Sequence, residues 1–212
     1  MKRLSILFSL FMGLVLSQSL WAYKESDLQK LLKTNRCEKC DLSGTNLTDA
    51  NLTGADLYEA ILSEAILTKA NLTDATLTGA NLRWVDLNAA NLTDATLTKA
   101  NLEGAQLTKA NLGGVNLTGT NLSEAILINS DLTEATIEQE TLEQAFLCHT
   151  ILPDGQQSKC DLSGTNLEDA NLWDASLTKA NLSGANLTRA YMSKAIFCDT
   201  TMSDGTINNS SC

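Results

Sequence analysis

Apolar side chains recur at every fifth position along most of this chain. Leucine occupies each of these positions from Leu42 to Leu132, and other apolar residues extend the series to Ile207. Gln157 is the one polar residue in the series. A second series, mostly alanine, lies two residues earlier, and Asn or Asp usually separates the two. A period of five residues therefore organises the chain.

This period fits neither an α-helix, which repeats every 3.6 residues, nor a flat strand, which repeats every two. A coil that turns a corner every five residues can direct both apolar series inward and the other three positions outward. Thr108 is an example of a predicted outward side chain. Four such sides would close a coil of about 20 residues, and stacked coils would lie about 4.8 Å apart. We expect a narrow, dry core without a pocket.

Stretches such as Ala70–Asp74 and Ala100–Gly104 read Ala-Asn-Leu followed by two variable residues. In this motif the chain resembles the pentapeptide-repeat family, from roughly residue 40 to residue 207. The resemblance implies an all-β solenoid, a right-handed quadrilateral β-helix, preceded by a short N-terminal capping α-helix and a Cys-x-x-Cys. At four repeats per coil we expect about 8 coils in a rod of roughly 40 Å.

The N-terminal residues indicate export. Lys2 and Arg3 precede a long apolar run and a small-residue end at Ala22, as in a secretory signal peptide at residues 1–22. In the predicted cap at residues 23–36, Ser26 has the spacing of a helix N-cap. Leu28, Leu31 and Leu32 would then form the apolar face of a helix over residues 26–34.

A longer repeat divides the predicted solenoid, residues 37–212, into two blocks. The segment Ala145–Gly155 parallels Ala195–Gly205, and Cys160–Leu167 repeats Cys40–Leu47 identically. The blocks cover residues 40–160 and 160–212, with a loop near residues 148–160 that contains the turn signal Pro153-Asp154-Gly155. Because the period stays in phase across this loop, we expect the later coils to continue the same rod.

Six cysteines in an exported chain favour disulfides, and their spacing groups them as local pairs. The predicted pairs are Cys37 with Cys40, Cys148 with Cys160, and Cys198 with Cys212. The Cys37–Cys40 pair could be a structural disulfide, a redox pair or half of a zinc site. A thioredoxin-like βαβ setting and further ligands at metal spacing are both missing from the sequence. We therefore predict no metal or other cofactor, and a spectator role for His149.

The charge balance argues against a nucleic-acid ligand. The chain has a formal charge of −10 that includes Lys2 and Arg3, so removal of residues 1–22 leaves −12. Such a surface repels nucleic acids and anionic lipids.

Four aromatic residues at outward positions form the candidate interaction patch, because aromatic residues are enriched at interfaces. They are Trp173, Tyr191, Trp84 and Tyr58.

These observations predict a non-enzymatic structural or protein-interaction module with an unknown protein partner. No catalytic residues, nucleic-acid partner or membrane insertion after signal cleavage are expected. The resemblance implies the periplasm or the thylakoid lumen as its compartment. It also implies one alternative, an acidic DNA mimic that binds a type II topoisomerase. A second alternative is a redox-responsive protein that uses Cys37 and Cys40.

Glu140 is the one charged residue at a small inward position. A carboxylate in a dry core is strongly destabilising unless it is paired or neutralised. We therefore expect the backbone to leave the regular coil between Glu138 and Thr141, so that Glu140 turns toward water.

Overall fold

The computed structural model describes residues 23–212, so the predicted signal peptide at residues 1–22 lies outside the described residues. Two helices and two short strands are formed in this part of the chain. They are α1 (Glu25–Thr34), α2 (Gln139–Leu142), β1 (Thr200–Thr201) and β2 (Ile207–Asn208). Single-residue bridges, rather than long strands, connect most of the remaining chain.

Parallel bridges join residues twenty positions apart. Asn71 pairs with Asn91, and Asn91 pairs with Asn111. Each coil therefore contains four five-residue repeats. At the corners the chain makes tight turns: the Ala50 N–H donates to the Leu47 carbonyl at 3.0 Å, and Asp49 between them has a φ of 57°. A positive φ at the third residue is the mark of a type II turn.

The roles of the repeat positions follow from this geometry. The central leucines and the alanines two residues before them form the buried core. The side chain of the Asn or Asp between them accepts hydrogen bonds from the turn that follows it. For example, Asn71 Oδ1 accepts hydrogen bonds from the backbone N–H and the hydroxyl of Thr73, at 3.1 and 2.7 Å. Short polar side chains suit this position because they can satisfy a turn N–H locally.

Helix α1 precedes the first coil but does not begin as the sequence suggested. Its N-cap is Lys24, without a side-chain cap bond, so the prediction of Ser26 as N-cap is wrong. Asp27 instead accepts a hydrogen bond from the backbone N–H of Asp41 at 2.9 Å. Leu31 is buried in the core, whereas Leu32 is exposed, so the prediction that Leu32 belongs to the buried apolar face is wrong.

The ladder of parallel bridges is interrupted between the two blocks. It runs from Arg36 to Ile151, and a second ladder begins at Asp161. The first block ends in a hairpin, in which Ile151 pairs antiparallel with Gln157. The second block ends in the same way, with β1 and β2 antiparallel. The long internal repeat is therefore a duplicated block ending.

The expectation that the later coils continue one rod is wrong. Among residues 23–212, no bridge connects the second ladder to the first. The hairpin reverses the chain at the end of the first block, so a parallel coil cannot follow directly. The five-residue period continues after the loop, but it shows only which residues face inward. It does not show the direction in which the coils stack.

Glu140 confirms the expected departure from the coil. Residues Gln139–Leu142 form α2 instead of a repeat, and Glu140 is exposed. Asn121, one coil below, accordingly lacks the bridge to Thr141 that the ladder would otherwise contain. The desolvation cost of an inward carboxylate therefore outweighs the repeat geometry at this site.

Replacement Glu140→Ala should change the free energy of unfolding by no more than about 0.5 kcal/mol, because exposed side chains away from specific contacts contribute little. Chemical denaturation followed by circular dichroism measures this change. A loss several times larger would show that the carboxylate makes a stabilising contact.

Candidate functional site

The second block stands on the side of the first, and side chains of the first block bind part of its open backbone edge. Elsewhere in the ladder these backbone groups pair with the coil below. In the first coil of the second block, the Asn171 N–H donates to Gln106 Oε1 at 2.6 Å. The Ser176 N–H donates to Asn129 Oδ1 at 2.7 Å, and Asn129 Nδ2 donates to the Ser176 carbonyl at 3.3 Å. An unpaired buried edge would be costly, so these contacts favour the docked arrangement.

His149 belongs to this junction. Its Nε2 lies 2.7 Å from the carbonyl oxygen of Thr178 and donates to it, since a carbonyl can only accept. The sequence alone indicated a spectator, because the Thr178 carbonyl lies 29 residues away along the chain. His149 therefore has a structural role in holding the two blocks together.

Apolar side chains on the flank of the first block close the core of the second. Ile126 and Ile128 occupy outward positions of the repeat, yet both are buried in the cluster of the second block, and Phe146 packs against it. Thr108 was predicted to be outward and is only 2% exposed. That assignment is wrong because the second block covers this flank.

A cavity of about 290 Å³ opens at one side of the junction. The prediction of a solenoid without a pocket is wrong here, because the cavity lies between the blocks and not in either core. We call it the basic cleft. It is lined by Thr68, Lys69, Asn88, Ala89, Thr108, Lys109, Asn171, Trp173 and Tyr191.

The basic cleft contains a buried amide with unused hydrogen-bonding capacity. Asn88 is 7% exposed, and its Oδ1 accepts the backbone N–H of Thr108 at 2.8 Å. Its Nδ2 has no partner among the described residues. Rotating the amide would direct Nδ2 at another donor, so the Thr108 N–H determines its orientation.

Lysine side chains surround the indole of Trp173. The Nζ atoms of Lys69 and Lys194 lie 5.7 and 5.3 Å from the ring centre, within the range of cation–π attraction. Lys109 forms an ion pair with Asp174. This ammonium holds the pKa of Asp174 below its usual range, first by its hydrogen bond and then by its charge, and Lys194 acts in the same direction.

A second cavity, of about 300 Å³, opens elsewhere along the junction and has the opposite character. We call it the acidic cleft. It is lined by Trp84, Gly104, Gln106, Glu124, Ile126, Asn166, Glu168, Asp169 and Ala170. Arg189 pairs with Glu168 and Asp169, and this hydrogen-bonded pair lowers the pKa of Asp169.

The four predicted aromatic residues do not form one patch. Trp173 and Tyr191 both line the basic cleft. Trp84 lines the acidic cleft, where Arg83 stacks 4.7 Å from its ring centre. Tyr58 lies in neither cleft; its hydrogen bond to Glu59 raises the pKa of Tyr58 and lowers that of Glu59. Of the four aromatic residues, Trp173 and Tyr191 therefore lie together, whereas Trp84 and Tyr58 each lie elsewhere on the surface.

The six cysteines are joined as Cys37–Cys40, Cys148–Cys160 and Cys198–Cys212. Cys37 and Cys40 are both buried against the core. Potential metal ligands meet at Cys148, His149 and Cys160, where the ligand atoms lie within 4.8 Å of one another. With the two sulfurs bonded to each other, this cluster offers no thiolate.

Peptide mapping under non-reducing conditions should recover linked peptides for each of these three local pairs. The same sequence follows Cys40 and Cys160. The alternative to local pairing that this experiment tests is therefore a disulfide between those two residues. A peptide that joins them, recovered from the folded, exported protein, would contradict local pairing.

The fold and its junction define a solenoid repeat protein whose candidate site is a cleft between two stacks of coils. The family model for pentapeptide repeats matches in eight copies, over residues 40–79, 65–104, 75–114, 105–152 and 165–204. The chain therefore belongs to the pentapeptide-repeat family. A comparison with curated proteins finds no match.

Several solved structures are similar to this chain. HetL, a pentapeptide repeat protein involved in heterocyst differentiation regulation in the cyanobacterium Nostoc sp. strain PCC 7120, is 34% identical, over 82% of this chain and 81% of HetL, with a TM-score of 0.44. Rfr23 from the cyanobacterium Cyanothece 51142 is 24% identical, over 80% of this chain and 92% of Rfr23, with a TM-score of 0.30. A pentapeptide repeat protein from the Arabidopsis thaliana thylakoid lumen is 28% identical, over 51% of this chain and 73% of that one, with a TM-score of 0.22.

In the part of the chain that the structure describes, neither helix has the length and apolar character of a membrane span.

Proposed function

We propose that this protein is an exported, non-enzymatic interaction module that binds a protein partner at the basic cleft. The observation that carries this proposal is the pairing of Trp173 with Tyr191, which is 57% exposed, beside the buried amide of Asn88, whose Nδ2 has no partner among the described residues. Aromatic anchors of this kind contribute most of the binding energy at many interfaces.

Three disulfides support the exported location, since disulfides persist in oxidising compartments. The periplasm and the thylakoid lumen both fit this condition. The redox alternative has less support, because Cys37 and Cys40 are buried and thiol exchange requires access to a sulfur atom.

Helix α1 has a separate role in this proposal. Leu31 joins the core cluster and the Asp27 carboxylate binds the backbone of Asp41. A solenoid needs its exposed end covered. We therefore assign α1 as the N-terminal cap of the right-handed quadrilateral β-helix, a role distinct from binding at the basic cleft.

A site-specific photo-crosslink tests the partner site. p-Benzoylphenylalanine replaces Tyr191 in the basic cleft or, as the matched control, Tyr58 on a surface away from both clefts. Irradiation of intact cells that export the protein should give a discrete protein adduct at position 191 and none at position 58. Equal adducts at both positions, or none at 191, would contradict the proposed site.

The acidic DNA mimic remains a second candidate, carried by the charge of −12 outside residues 1–22. Inhibition of DNA supercoiling by a purified type II topoisomerase is the measurement. If the protein at micromolar concentration leaves supercoiling unchanged, this candidate is excluded.

A further inference from the structure

The basic cleft has a charge opposite to that of the protein around it. Lys69, Lys109 and Lys194 lie at or beside it, and Asp174 neutralises the charge of one lysine. The remainder of the described chain is strongly acidic. A local excess of ammonium groups on such a surface selects an anionic group in the ligand.

The uncharged parts of the cleft add two further requirements. Trp173, Tyr191 and Ala89 present apolar surface, which favours an apolar or aromatic group. The buried Nδ2 of Asn88 has no acceptor in the part of the chain that the structure describes, and an oxygen atom of a ligand would supply one. Leaving a buried donor unpaired is destabilising, so an occupant that provides this acceptor is favoured.

The size of the cleft restricts how these groups can be connected. A volume of about 290 Å³ lies just below the range for small-ligand pockets, which begins at about 300 Å³. It has room for one side chain and the group attached to it. A single residue that carries both an anion and an apolar side chain fits this space. A C-terminal residue meets this condition, because its carboxylate and its side chain share one Cα.

On the basis of the proposed function, we propose that the basic cleft binds the C-terminal residue of the partner protein, with an aromatic or other apolar side chain and a free carboxylate. The side chain packs against Trp173 and Tyr191. The carboxylate accepts a hydrogen bond from Asn88 Nδ2 and is attracted by Lys69 and Lys194. Capture of a terminal carboxylate is a recurring mode of peptide recognition.

The test uses the mature protein and two peptides that differ only at the terminus, acetyl-Ala-Ala-Phe with a free carboxylate and its C-terminal amide. Titration is followed by ¹H–¹⁵N NMR of the Asn88 side-chain amide and the Trp173 indole. The free acid should shift both signals and bind at least about tenfold more tightly than the amide, a difference of about 1.4 kcal/mol. Acetyl-Ala-Ala-Ala should bind more weakly than the phenylalanine peptide.

Two sets of variants locate the effect. The double replacement Lys69→Gln and Lys194→Gln removes exposed charges and should lose the preference for the free acid. Lys99→Gln removes another exposed lysine, which lines neither cleft, and should retain the preference. Equal binding of the acid and the amide would overturn the proposal, as would shifts confined to residues outside the cleft. A crosslink at position 191 without peptide binding would reject the terminal carboxylate and leave the partner site standing.

Discussion

Leu102→Ala should lower the free energy of unfolding by roughly 2–5 kcal/mol, the usual cost of removing a buried leucine side chain. Leu102 is 1% exposed, and Leu82 and Leu122 occupy the same position in the adjacent coils. The ladder hydrogen bonds hold the backbone on both sides, so the coil has little freedom to collapse into the space that is left. Urea unfolding followed by circular dichroism measures the loss.

Thr118→Ala is the matched control for this core replacement. Thr118 follows a central leucine, is exposed, and lines neither cleft. Its change should stay within about 0.5 kcal/mol. Similar losses for the two variants would contradict the assignment of inward and outward positions. Thr108 is unsuitable as a control because the junction buries it.

Ile126→Asn should destabilise the second block by at least about 2 kcal/mol, because it removes a buried apolar side chain and places an amide in its position. Ile126 is 6% exposed and belongs to the core cluster of the second block. Hydrogen exchange measures each block separately. Amides of the second ladder, such as Asn181, should exchange faster, while Asn91 in the first ladder keeps its protection.

Ile66→Asn is the control for the junction. Ile66 and Ile126 occupy the same column of the first ladder, three coils apart, but Ile66 is 40% exposed. Asparagine is common at this repeat position, so the backbone should accept it with little change in exchange. If Ile126→Asn behaves like Ile66→Asn, the second block does not depend on this flank for its stability.

The coil itself could be predicted from the sequence because its determinants are local and repeated. Each central leucine, the small residue two before it and the Asn or Asp between them specify one side of the coil, and in-phase repetition reinforces the pattern. The departure at Glu140 could be predicted for the same reason, since an inward carboxylate conflicts with burial at one position. The resemblance to pentapeptide repeats then implied four sides per coil, which the bridges between residues twenty apart show.

The position of the second block was decided only by the tertiary structure. Gln106, Asn129 and His149 occupy ordinary outward positions, and their partners lie 65, 47 and 29 residues away in the chain. The sequence contained one indication, the uninterrupted apolar run Ile126-Leu127-Ile128. Ile126 and Ile128 stand at outward positions, where most repeats have polar residues. A repeat pattern shows which side chains face inward within a coil. It does not show which flank will cover another coil's open edge, because that depends on complementary hydrogen bonds and apolar surface between distant segments. The clefts exist only because of that contact.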